Sequence, residues 1–196
     1  MSKNRYTILS LFALLISCTN PFTTRDVEPP GDKTQSDIFD QPTSSEIVMS
    51  NLRFALEQMN SENYIKCFVD SSQTTDYPFV FQPDQNIDYI KFSGWQLTDE
   101  RNYINKIFNS SKNIVFTYLD NPQPQPIASA INLAETPYFR YELTVDNGET
   151  AVYQGKARMR LVQNDQTLWS IYYWEDTRDD TQNPNTWSLL KANNRF

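Results

Sequence analysis

The chain has 196 residues, with 24 acidic against 17 basic side chains, a formal charge of −7, two cysteines and no histidine. An acidic balance argues against nucleic acid as a partner, because binding to it rewards clustered Lys and Arg. The absence of imidazole excludes Ser-His-Asp and Cys-His nucleophilic sites and every metal site that needs a histidine ligand, and nothing else in the sequence calls for a metal or a cofactor.

At the N-terminus, Lys3 and Arg5 precede an apolar run from Ile8 to Ile16, too short to span a bilayer comfortably and read as a secretion signal. The run ends in Leu15-Ile16-Ser17-Cys18, which resembles the lipobox of bacterial lipoproteins, cut just before a cysteine that is then lipidated. The resemblance implies that residues 1–17 are a lipoprotein signal peptide and that the lipid on Cys18 is the contact with the membrane. Several acyl chains on one residue, at about 0.8 kcal/mol per buried CH₂, hold a protein at a bilayer where one chain does so only marginally. Thr19 stands where some bacteria read an aspartate as an inner-membrane retention signal, so the expected location is the cell envelope, at the outer membrane. Loss of Lys3 and Arg5 with the signal moves the formal charge from −7 to −9.

Residues 18–42 then read as the lipidated cysteine and a disordered tether: TNPFTTRDVEPPGDKTQSDIFDQP has four prolines and no sustained apolar period. Ile38 and Phe39 are its residues apolar enough to dock back on the domain. Residues 43–196 have the length of one domain. With Cys18 lipidated, Cys67 is the one remaining thiol, and its setting in YIKCFV reads as buried packing.

The domain opens on Thr43-Ser44-Ser45-Glu46, which fits a capping box, followed by Val48, Leu52, Ala55, Leu56 and Met59 at helical spacing. Tyr64, Ile65, Cys67 and Phe68 form the apolar side of a second, shorter helix. A polar DSSQTTD loop and a short strand at Phe79 to Phe81 follow. Thr98 reads as the cap of a third helix, with Asp99 and Glu100 facing its positive end and Tyr103, Ile104, Ile107 and Phe108 as its buried stripe. From Ile114 the period becomes two. Ile114 to Leu119 is a strand, NPQPQP breaks it, and Tyr138 to Val145 alternates with Phe139, Tyr141, Leu143 and Val145 on one face. Asp146-Asn147-Gly148 signals a hairpin turn. The next strand sets Tyr153, Gly155, Ala157, Met159 and Leu161 against Gln154, Lys156, Arg158 and Arg160, and Asn164-Asp165-Gln166 turns into the last long strand, LWSIYYWED. Trp187 to Lys191 reads as a closing helical turn.

Helical segments followed by an antiparallel meander give an α+β class, with N-terminal helices packed on one face of a strongly bent antiparallel sheet. From Thr43 onward, PTSSEIVMSNLRFALEQMNSENYIKCFVDSS, FVFQPD, TDERNYINKIF and the hairpins ending LWSIYYWED resemble the NTF2-like, or SnoaL-like, superfamily in its cone-shaped, cystatin-like form, and in particular bacterial lipoproteins that carry such a domain behind a proline-rich tether. The resemblance implies a cone with an apolar pocket, used for isomerase, dehydratase, hydrolase or cyclase chemistry in some members and for binding or dimerisation in others.

A ketosteroid-isomerase-like site needs no histidine, only a carboxylate that moves a proton and a tyrosine and protonated acid that stabilise the oxyanion. Aligned through Leu56 and Phe68, the isomerase's helix-one tyrosine falls on Leu52, and FVFQP places its base carboxylate on Gln82. Neither residue can take the role, so the expectation is a protein that is not an enzyme. For the aromatics two readings stay open. With Trp169, Ile171 and Tyr173 on one face of the last strand and Tyr172, Trp174 and Asp176 on the other, one set either fills the core or lines a cavity for an apolar small molecule or lipid. The candidate lining is Leu52, Leu56, Phe68, Phe81, Tyr103, Phe139, Tyr141, Trp169 and Tyr173.

Lys156, Arg158 and Arg160 read as a solvated face balanced by acids, and Glu175, Asp176, Asp179 and Asp180 as a solvated acidic loop in preference to a calcium site. Asn109-Ser110-Ser111 matches a glycosylation pattern by coincidence. The expected partners are the membrane through Cys18 and either an apolar ligand or, if the cone is filled, a second copy or an envelope protein.

Overall fold

Apolar side chains recur at helical spacing up to Ser110 and at strand spacing from Asn113, and the computed structural model follows that change of period. It describes residues 39–70, 76–179 and 183–195. The expected signal peptide, Cys18, the tether as far as Ile38, most of the DSSQTTD loop and Asp180 lie outside the described residues.

Helix α1 (Ser45–Glu57) is capped one residue later than the capping-box reading: Ser44 is the extended residue, and its hydroxyl accepts the Ile47 N–H at 3.4 Å. Asn60 caps α2 (Ser61–Lys66) by accepting the Asn63 N–H at 3.0 Å. Strand β1 (Val80–Gln82) and a 3₁₀ turn (Tyr89–Phe92) lead to α3 (Leu97–Ser110), which starts two residues earlier than expected. Gln96 is its cap, and the Asp99 carboxylate accepts the Gln96 N–H at 2.9 Å, so Thr98 lies inside the first turn.

The strands that follow are β2 (Asn113–Tyr118), β3 (Gln125–Ile127), β4 (Ala130–Glu135), β5 (Phe139–Asp146), β6 (Thr150–Gln163) and β7 (Trp169–Thr177), and the last helix is α4 (Trp187–Asn193). Strand β6 is the spine. Along one edge it pairs first with β5 and then with β4, and along the other with β7; β2 extends the sheet beyond β5, β3 beyond β4, and β1 joins β7 in parallel. The β3–β4 hairpin sits where the sequence showed only a proline-rich break. Pro126 is accommodated there because β3 is an edge strand. Gly148, at φ 108°, takes the turn position that a side chain would disfavour.

One register shift changes which residues face the core. Arg160 pairs with Tyr173 and Leu161 with Ile171, so Tyr172 is an extra residue in β7. Strict alternation would keep Trp169, Ile171 and Tyr173 on one face, but the bulge at Tyr172 reverses the faces beyond it. Ile171, Trp174 and Asp176 are therefore buried, whereas Tyr173 lies on the outer face 5.0 Å from the Arg160 guanidinium.

The core occupies the space between the helices and the inner face of the sheet, and it is unusually aromatic: Trp174 is 5.4 Å from Phe81, 6.2 Å from Phe68 and 4.6 Å from Trp187, ring centre to ring centre. Residues 39–42, placed in the tether by their composition, are held to the domain. Phe39 packs on the core beneath Lys66, Asp40 exchanges two hydrogen bonds with the Asn51 side chain, and the Pro42 carbonyl accepts the Trp169 N–H at 2.8 Å.

Candidate functional site: a carboxylate-bearing interior closed by α4

Seven of the nine candidate lining residues, Leu52, Leu56, Phe68, Phe81, Tyr103, Phe139 and Tyr141, are buried in one contiguous cluster. Trp169 is partly buried against it, and Tyr173 is outside. Helix α4 lies among them: Trp187 packs 5.3 Å from Phe116 and 5.4 Å from Tyr141, and Trp187, Ser188 and Lys191, which share one side of the helix, are at most 1% exposed. A surface groove of about 500 Å³ between Phe39, Ile65, Leu97, Arg101 and Leu168 touches the candidate set only at Phe68.

Among the described residues Asp84, Glu100 and Asp176 are buried carboxylates, and the last two bear the ties to α4. Asp176 accepts the Tyr141 hydroxyl at 2.6 Å on one oxygen and, on the other, the Ser188 N–H at 2.6 Å and the Ser188 hydroxyl at 2.5 Å. Burial raises its pKa to about 6, against these three donors, which pull it down. The Tyr141 oxygen in turn accepts the Trp187 N–H at 2.8 Å, and burial with the neighbouring Asp176 charge holds its proton well above the usual tyrosine range. Gly155 makes room for this hydroxyl: a Cβ there would stand 2.6 Å from it.

Glu100, fully buried on α3, is the second. Lys191 donates to both of its oxygens, at 2.7 and 2.8 Å, Tyr64 donates at 2.7 Å and the Trp95 indole N–H at 2.9 Å. The Lys191 ammonium also sits 3.7 Å from the centre of the Trp174 ring and 3.8 Å from that of Phe81, with Tyr103 and Trp95 beyond at 5.5 and 5.8 Å. Burial lowers its pKa to about 8, opposed by the Glu100 charge.

A tyrosine hydrogen-bonded to a buried carboxylate can in principle move a proton. Here the hydroxyl oxygen and the far carboxylate oxygen both receive donors from α4, so the pair faces a helix and not an open pocket. Leu52 is buried in the core, and Gln82, the position aligned with the isomerase base, is exposed. Asp176 corrects the reading of an acidic solvated loop: it points into the core, while Glu175 turns out to Arg158 at 2.7 Å and Asp179 to Lys156 at 2.6 Å, so the three acids do not converge on a cation. No group of three ligating side chains that could hold a metal occurs among the described residues. Burial raises the Cys67 thiol pKa far above its ordinary value, and Cys67 is free. The sequence signal missed for Lys191 was a lone cation inside an apolar helical stretch, WSLLKA; for Glu100, helix-end electrostatics supplied a sufficient but different reason for an acid there.

The outer face of the sheet is built from the same residue types under solvent. Arg160 contacts Glu135 at 2.5 Å, Arg158 lies 4.8 Å from the Tyr138 ring, and Tyr138 donates to Glu175 at 2.8 Å. Lys156, Arg158 and Arg160 thus form the acid-balanced face that their alternation indicated.

No family model matches the chain, and no curated protein does. Solved structures do. A candidate dehydratase of the NTF2-like family from Streptomyces avermitilis aligns over 69% of this chain and 94% of its own at 10% identity, with a TM-score of 0.54. A candidate aromatic ring hydroxylase from Novosphingobium aromaticivorans aligns over 74% and 92% at 10% identity and 0.51, and a conserved protein from Planctomyces limnophilus over 67% and 91% at 10% identity and 0.51. At such identities the likeness is one of architecture, and it shows that this chain has the NTF2-like α+β fold.

Proposed function

We propose that the protein is a non-catalytic interaction module, tethered to the bacterial envelope through a lipid on Cys18, whose working surface is the outer face of the sheet and whose partner there is a second copy of the chain. The observation that carries this reading is the occupation of the interior by α4, with Trp187, Ser188 and Lys191 taking up the polar groups that a ligand or substrate would need. Self-contact is the reading compatible with the charge balance of the outer face: Arg158 and Arg160 are paired with Glu135 and Glu175 around Tyr138 and Tyr173, so the face carries both signs and a two-fold axis set between the rows can pair basic groups of one copy with acidic groups of the other.

A second reading, a carrier of an apolar small molecule or lipid, has as its candidate seat the groove of about 500 Å³ in which Phe39, Ile65, Phe68, Leu97 and Leu168 stand among the polar side chains of Glu62, Lys66, Arg101 and Gln166. Native mass spectrometry of residues 36–196 separates the two. A dimer without adduct, reduced to monomer by Arg160→Glu, supports the interaction module. An adduct released by organic extraction supports the carrier, and a bare monomer sinks the self-contact. Metabolic labelling with an alkynyl fatty acid should mark the full chain and not its Cys18→Ser variant; equal labelling removes the anchor from the proposal.

A further inference from the structure

Everything that surrounds the Lys191 ammonium comes from elements other than its own helix. Glu100 and Tyr103 come from α3, Tyr64 from α2, Trp95 from the turn before α3, Phe81 from β1 and Trp174 from β7. The carboxylate is oriented before any cation is counted, since the Tyr64 hydroxyl holds one oxygen and the Trp95 indole the other. Two aromatic rings stand within 4 Å of the nitrogen and two more within 6 Å. A carboxylate with fixed donors, inside a four-ring cage, is the chemistry that recognises an organic ammonium: the charge is matched by the carboxylate and the ring faces, and the alkyl stem by the apolar wall.

A buried pair formed only to stabilise the fold would not require this arrangement, because a hydrophobic pair of similar volume does as well or better. We infer that Glu100, Tyr64, Trp95, Phe81, Trp174 and Tyr103 form a binding site for a primary alkylammonium group, occupied in this structure by the chain's own Lys191 acting as an internal ligand. Two further contacts hold α4 beside this site with neutral donors: the Trp187 indole donates to the Tyr103 hydroxyl at 2.8 Å, and Ser188 donates twice to Asp176. The inference goes beyond the outer-face contact and does not depend on it.

The test is chemical rescue on the full chain in detergent. Lys191→Ala removes the stem and ammonium, leaving a space that n-propylammonium matches atom for atom beyond Cβ. Adding n-propylammonium chloride should raise the thermal midpoint of Lys191→Ala saturably by several degrees. The same salt should leave wild type and the Glu100→Gln/Lys191→Ala double variant unmoved, as should n-propanol or sodium chloride added to Lys191→Ala. If Lys191→Ala does not accumulate folded, the same additives are supplied during refolding from urea, and near-UV circular dichroism should recover with n-propylammonium alone. No saturable rise and no selective recovery, or an equal effect of sodium chloride or n-propanol, overturns the site.

Discussion

The interior and the outer face of this sheet are made of the same parts, yet the parts do different work. Both set cations against glutamates and aromatic rings at similar distances: Lys191 to Glu100 at 2.7 Å inside, and Arg158 to Glu175 at 2.7 Å outside. The inner pair is fully buried, whereas the outer side chains are 26% and 22% exposed. Distance therefore says little about consequence. Water near the outer pair screens its attraction and solvates either partner if the other is lost, while a lone charge inside has no such recourse.

The comparison is broken most severely by Lys191→Met, which strands the Glu100 carboxylate in the core. It should cost about 3–5 kcal/mol in urea unfolding, on the scale of a broken buried ion pair. A loss below about 1 kcal/mol would mean that the interior behaves like the surface. Next is pH. Because the folded pKa of Asp176 is raised to about 6, the fold holds its proton more tightly than the unfolded chain does. Its contribution is fully present below the ordinary aspartate range and is lost as pH rises through about 6, a loss of roughly 3 kcal/mol by pH 7. Asp176→Asn should flatten that part of the stability profile between pH 4 and pH 7, measured against wild type at each pH. Identical profiles would refute the burial effect.

Gly155→Ala sharpens the comparison by geometry alone. The added methyl meets the Tyr141 hydroxyl at 2.6 Å and the Thr177 carbonyl at 2.8 Å, so it must push Tyr141 away from Asp176, at about 1–3 kcal/mol. Smallest is Arg158→Ala on the outer face, which should change the stability of the isolated monomer by about 0–1 kcal/mol while weakening association in analytical ultracentrifugation. A strong loss of monomer stability would show that the outer ladder acts structurally.

Much of the fold was legible because period and punctuation agreed. Phe139, Tyr141, Leu143 and Val145 alternate and are buried, and the Asp146-Asn147-Gly148 turn follows them. The failures have local causes. A bulge at Tyr172 is invisible to alternation, so Tyr173 was assigned to the wrong side. A proline-rich segment hid an edge hairpin, since proline is excluded from central strands and not from edges. The interior carboxylates were the hardest. Nothing adjacent to Glu100 in sequence distinguishes an acid at a helix start from one that anchors a lysine 91 positions away. Asp176 stands among acids that do face water, and only the strand register separates it from them.

That separation of 91 positions also governs when the molecule can become itself. A nascent chain grown through β7 already contains Glu100, Asp176 and every ring of the cage, but two carboxylates in its prospective core have no cation and no Ser188 to receive them. Synthesis and export both present Glu100 before Lys191, and in the interval until Lys191 has followed, the partly emerged domain has every reason to stay open. A stop or a cut ahead of Trp187 would make the interval permanent, yielding a chain with all its strands and no way to dry its centre.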